Sequence, residues 1–157
     1  MAASPYPPEL LARLAELCEA SPAREACGFV VRRAGALHGE ELPNAADAAH
    51  ADDPLHHPRT SRDAYVMDPD ALLAAFERHA REGAEIVAVW HSHVEAPATF
   101  SEKDQADAIL DGEPALPGAE QLVFSVRGGR VVDARRYVFG GLRFVEAPLA
   151  PGVPRRV

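Results

Sequence analysis

His91-Ser92-His93, followed after seven residues by Ser101-Glu102-Lys103-Asp104, is the part of this chain whose residue types and spacing can do chemistry. Two imidazoles two positions apart, with a carboxylate about a dozen residues on, supply three protein ligands for one zinc ion. The fourth tetrahedral position then stays open for water, as in catalytic rather than structural zinc sites. Each half of the pattern has an ordinary reading when it stands alone. A His-x-His at a strand end is often two polar residues where a sheet meets water, and Ser-x-x-Asp is often a plain helix cap. Their conjunction at this spacing makes the ligand reading the stronger one.

The elements that must position these groups are legible on either side of them. Glu85 to Trp90 is an apolar, β-branched run that reads as a buried strand continuing to His93. On a strand, side chains two apart share a face, so His91 and His93 point together and Ser92 points away. Ser101, with an acid three residues later, starts a capped helix running to about Leu110 and puts Asp104 in its first turn. A strand end and a helix start can therefore aim three ligands at one point.

Elsewhere, Pro7-Pro8-Glu9 opens a helix to about Glu19, with leucines at helical spacing and Cys18 among them as a small hydrophobe. Ala26–Arg33 and Ala36–Leu42 form a hairpin around Ala34-Gly35, and Asn44 to Arg62 is proline-broken and polar, a loop. Asp63–Met67 is a short strand, and Asp68 caps a helix that has Pro69 at its first position and ends near Gly83. Gln121–Val126, Val131–Val138 and Leu142–Val145 are three further strands. Three helices and a largely hairpin-linked sheet give an α/β sandwich in one domain, residues 1–146, followed by an extended or disordered tail, residues 147–157.

The pattern His91-x-His93, seven residues, Ser101-x-x-Asp104 resembles the JAMM motif of the JAB1/MPN+ metalloproteases. Glu25, in Glu25-Ala26-Cys27-Gly28, is similar to the upstream glutamate of the short bacterial branch of that family, and Asn44 and Tyr65-Val66-Met67-Asp68-Pro69 also match it. The likeness runs from about Glu9 to about Val138. Val94 and Phe100 depart from the family, which often has proline at both places. The resemblance implies an MPN, cytidine-deaminase-like fold: a central mixed β-sheet flanked by helices. It implies one Zn2+ per chain on His91, His93 and Asp104, with Glu25 as general base and Ser101 as donor to the oxyanion. It further implies hydrolysis of peptide or isopeptide bonds at the C-terminus of ubiquitin-like or sulfur-carrier proteins ending in Gly-Gly. Two alternatives stand beside it: a non-catalytic MPN scaffold, and a cell-wall peptide amidase of the same superfamily.

The rest of the sequence narrows the classes. Sixteen basic against twenty-four acidic residues give a net charge of −8, and no basic cluster is interleaved with aromatics, so nucleic acid is not the expected partner. No apolar run approaches a membrane span and no signal pattern opens the chain, which reads as cytoplasmic. Cys18 and Cys27 are expected to stay reduced there, Cys27 as a buried thiol beside Glu25. No Pro-Cys-x-x-Cys or His-Glu-x-x-His element is present, which excludes zinc deaminases and zincins. His56-His57, near Asp52-Asp53, could mimic a second metal site, but histidines in a polar loop are more often plain surface residues.

Overall fold

The computed structural model describes residues 5–149. Its element order is α1 (Pro8–Ala20), β1 (Cys27–Arg33), β2 (Ala36–Leu42), α2 (Ala46–Asp52), α3 (Pro69–Glu82), β3 (Glu85–Val94), α4 (Glu102–Ala108), β4 (Ile109–Leu110), β5 (Glu113–Pro114), β6 (Glu120–Arg127), β7 (Arg130–Phe139) and β8 (Phe144–Ala147). Six strands make one sheet in the order β2-β1-β3-β6-β7-β8, and β4 and β5 form a small ribbon apart. All neighbours in the large sheet are antiparallel except β3 and β6, so the sheet is mixed.

Strand alternation sorts the core into two faces. Val30, Ala88, Trp90, Leu122 and Phe124 turn toward α1 and pack on Leu10, Leu11, Leu14 and Cys18. Their odd-numbered neighbours turn the other way and divide into two clusters. Phe29, Val31 and Val89 pack against α3 through Ala75, Leu72 and Phe76. Val123, Tyr137, Phe100 and Phe144 pack beside the end of α4. His91 and His93 belong to this divided face.

Local chemistry sets the helix ends. Asp68 accepts a hydrogen bond from the Ala71 amide, Pro69 stands at the first position of α3, and Gly83 closes the helix at φ 65°. Gly28 is required where β1 passes β2, because a Cβ there would meet the Glu40 carbonyl oxygen at 1.9 Å.

The observed elements correct the sequence expectation in four places. Residues 44–62 are not all loop, since α2 occupies Ala46–Asp52 and makes four helices among the described residues where three were expected. Residues 63–67 form no strand, only one bridge between Asn44 and Met67. The helix expected to reach Leu110 ends at Ala108, where Ile109 and Leu110 pair with Pro114 and Glu113. The last strand is Phe144–Ala147 rather than Leu142–Val145, because Gly140 and Arg143 close a turn first. Ala147 thus ends a strand, and most of the expected tail, residues 150–157, lies outside the described residues.

Candidate metal centre

His91 and His93 end β3 on one face, as their spacing predicts, and Asp104 is the third residue of α4. All three are buried. The two Nε2 atoms lie 3.1 Å apart; that of His91 is 3.3 Å from Asp104 Oδ1 and that of His93 is 3.3 Å from Asp104 Oδ2. Bonds of ~2.0–2.1 Å at tetrahedral angles put donor atoms about 3.3–3.4 Å apart. The three side chains, with one ligand atom from each all within 4.8 Å of one another, can therefore converge on one zinc-sized cation. Among the described residues, no other group of three or more histidine, cysteine or acidic side chains converges this way. His56 instead hydrogen-bonds Asp53 at the exposed end of α2, at 2.8 Å.

The surrounding bonds fix which atoms face the centre. His93 Nδ1 lies 2.7 Å from the Pro97 carbonyl, which only accepts, so Nδ1 carries the hydrogen and Nε2 presents a lone pair. The loop bearing Pro97 is itself fastened: Ser125 donates to the Ala96 carbonyl and Tyr137 to that of Ala98. Asp104 accepts from the Ser101 amide at 3.0 Å while Ser101 Oγ accepts from the Asp104 amide at 3.1 Å, a reciprocal capping box. The Ser101 hydroxyl hydrogen is left over for a further acceptor. The His91 ring stacks on Tyr65 with centroids 4.6 Å apart, and its Nδ1 is buried without a hydrogen-bond partner.

Electrostatics follow from burial and from this carboxylate. Burial disfavours the charged form of His91 and lowers its pKa despite Asp104. Burial also opposes charge on His93, but hydrogen bonds to Asp104 and the Pro97 carbonyl outweigh it and the pKa rises. Asp104 is pushed up by burial and pulled down more strongly by both imidazoles, ending well below the usual carboxylate range.

Glu25 sits just before β1 and lines the same cleft as His93, Ser101 and Asp104, a space of about 180 Å³. Its backbone is clamped on both sides. The amide donates to the Ser61 carbonyl at 2.6 Å, and the carbonyl accepts from Asn44 Nδ2 at 2.9 Å. Asn44 also donates to the Ala64 carbonyl and accepts from the amides of Ala46 and Val66. Ser61 is held in turn by Asp47, and the next amide, Ala26, donates to Ser92 Oγ. Burial pushes the Glu25 carboxyl up to about 8, against the opposing pull of His93.

The structure thus brings together all five residues selected from the sequence. Cys27 does not join them: its buried thiol points to the Leu42 carbonyl at 3.6 Å, and burial pushes its pKa up to about 12. Val94 lines the cleft, whereas Phe100 is buried and stacks on Tyr137. The positioning parts played by Ser92, Tyr65, Ser61 and Pro97 escaped sequence reasoning. Asn44 and Tyr65 carried a signal only as residues matching the bacterial branch.

The family described as prokaryotic homologs of the JAB domain matches residues 7–138. The chain belongs to that family. A relative from Thermus thermophilus, named "Probable TtuB-protein conjugate cleaving protease", is 44% identical over 45 residues, 29% of this chain. That match spans only 30% of the Thermus protein. Among solved structures, a Desulfitobacterium hafniense protein superposes with a TM-score of 0.60 at 20% identity, covering 88% of this chain and 86% of the other. A Salinibacter ruber protein gives 0.56 at 20% identity over 98% and 95%. These two likenesses concern the fold alone.

Proposed function

We propose that this JAB-domain chain is a zinc-dependent hydrolase that cleaves peptide or isopeptide bonds at the C-terminus of ubiquitin-like or sulfur-carrier proteins. The observation that carries the reading is the convergence of His91, His93 and Asp104, buried side chains whose ligand atoms all lie within 4.8 Å of one another, beside a cleft shared with Glu25 and Ser101. His91, His93 and Asp104 hold the ion. When bound, zinc supplies Lewis acidity, polarising a carbonyl and bringing the pKa of water down toward ~7.

The remaining steps belong to the chain's own side chains. Glu25 takes the proton of the attacking water and passes it to the leaving amine, a task that suits a carboxyl raised toward neutrality. Its clamped backbone fixes where that proton goes. Ser101 donates its free hydroxyl hydrogen to the oxyanion, a contact worth ~3–4 kcal/mol in other hydrolases. Asp104 orients both imidazoles.

The substrate class rests on family membership and on the printed name of the Thermus relative, a conjugate-cleaving protease. A Gly-Gly tail suits a cleft of about 180 Å³, since residues without side chains need little room. We assign residues 1–146 to one domain. The address that fits is the cytoplasm: both cysteines are free and buried, and no described helix is long and apolar enough to cross a membrane.

The deciding experiment is zinc content per chain by elemental analysis, paired with cleavage of a carrier protein extended beyond Gly-Gly. Wild type is expected to hold near one zinc and to cut. His91→Ala/His93→Ala and Asp104→Ala are expected to hold almost none and to be inert. Absence of zinc from the wild type after reconstitution would remove the hydrolase reading and favour a scaffold.

A further inference from the structure

A second cavity adjoins the cleft on the divided face of the sheet. It lies between α3 and the end of α4, encloses about 230 Å³, and is walled by Phe29, Met67, Leu72 and Phe76. Its floor is Val89 and Gln121, which are register partners on β3 and β6. One same-face step along β3 from Val89 is His91, a distance of about 7 Å. Tyr65 lines both this cavity and the metal-centre cleft, and stacks on His91 between them.

The floor carries an anomaly. Gln121 is buried, and its Oε1 has no hydrogen-bond partner. A buried acceptor without a donor is costly, and such exceptions often mark places where a ligand completes the pairing. Leu122 beside it faces α1, so Gln121 stands where the alternation of β6 asks for an apolar residue. Asp107, at the rim, is already paired with Lys103. An apolar wall over a single buried acceptor suits an aromatic ring bearing one donor. A phenol meets both demands, and the volume is that of one side chain rather than of a cofactor.

We propose that this cavity is a side-chain subsite of the substrate cleft, receiving a tyrosine-like ring from a residue within two positions of the scissile bond, with Gln121 accepting its hydroxyl. The subsite rests on the hydrolase reading above. It extends that reading by making the flanking residue, and not only the Gly-Gly tail, a determinant of what is cut.

The test separates binding from catalysis. Met67 is one of only two methionines, so methyl-labelled methionine places one reporter in the cavity wall. Wild-type protein is titrated with p-cresol and, separately, with toluene, which has the ring without the donor. The expected result is a saturable shift of the Met67 methyl, with p-cresol binding about tenfold more tightly than toluene. Gln121→Met, which keeps the volume and removes the unpartnered oxygen, should equalise the two probes and remain folded. Leu72→Trp, filling the cavity, should abolish both. A Met67 methyl that does not move, or equal affinities in the wild type, overturns the proposal.

Carrier tails with Tyr, Phe or Ala next to the scissile bond complete the test. Wild type should prefer Tyr and Gln121→Met should lose that preference. Indifference to the three tails overturns the subsite while leaving the hydrolase standing. Failure to cut any tail overturns the hydrolase reading and the subsite with it, whatever the methyl shifts show.

Discussion

Replacing Asn44 tests how much of this site is built by one side chain that touches neither ligand nor substrate. Asn44 makes four hydrogen bonds, to the carbonyls of Glu25 and Ala64 and from the amides of Ala46 and Val66. Net contributions of ~0.5–1.5 kcal/mol per bond bound the loss on Asn44→Ala at about 2–6 kcal/mol. Asn44 is half-buried, so water can reach part of the vacated space and the lower half of that range applies. A loss of ~3 kcal/mol corresponds to a fall in Tm of about 6–12 °C for a chain of this length. Asn44→Asp keeps both acceptor bonds but turns a carboxylate toward two carbonyl oxygens, so it should be destabilised at least as much. Urea denaturation of metal-free protein measures the effect without interference from zinc linkage. The clamp also fixes Glu25 while leaving β3 and α4 alone, so hydrolysis should fall further than zinc content. A melting temperature within a degree of wild type for both variants would show that the clamp does not organise the site.

Three further outcomes are expected. Glu25→Ala should keep its zinc, because Glu25 is not among the three converging ligands, yet lose ~10²–10⁴-fold in turnover; wild-type turnover would displace Glu25 as the base. Gly28→Ala should fail to accumulate as folded protein, since its Cβ would lie 1.9 Å from the Glu40 oxygen, and native circular dichroism with an unchanged urea midpoint would contradict the strand approach. Glu120 is desolvated, which raises its pKa, but hydrogen bonds from Arg136 and Tyr6 outweigh this and lower it. Its folded value lies below its unfolded one, so its stabilisation is complete above the unfolded pKa and disappears as pH falls through the folded value. Partial exposure keeps the effect to about 1 kcal/mol; Glu120→Gln should flatten the acid limb of the urea-midpoint profile below the ordinary carboxylate pKa, and an unaltered limb would show that the pair does not contribute.

What could be read from the sequence was what neighbours decide. The strand through His93 and the capped start of α4 depend on residues one to four apart, so alternation and the Ser101–Asp104 spacing were enough. The family likeness added Glu25, whose position before β1 has no local signature. α2 was missed because Pro54 and Pro58 made the stretch look broken, although Ala46, Ala48 and Ala49 are strong helix formers and precede both prolines. The stacking of Tyr65 on His91 and the place of Gln121 were invisible for a different reason. Their surroundings are made by strand order and by two helices sharing one sheet face, and nothing in a single sequence encodes that adjacency.

The division of that face connects fold to chemistry. A sheet face covered by one continuous core would bury His91 and His93 where no substrate could reach them. Here α3 covers one part and α4 with β8 covers another, each with its own cluster. Between them run His91 and His93, which meet the metal-centre cleft, and Val89 and Gln121, which floor the second cavity, in strand register. A cleft placed in this way must be walled by something other than helix packing. Residues 44–67 serve, held by Asn44 and Ser61 rather than by a hydrophobic core of their own. The polar groups that looked like loop chemistry in the sequence are therefore what keeps Glu25 and Tyr65 facing the metal ligands. Strengthening that wall by apolar substitution should stabilise the chain and close the cleft together, so stability and turnover should move in opposite directions there and in parallel at Asn44.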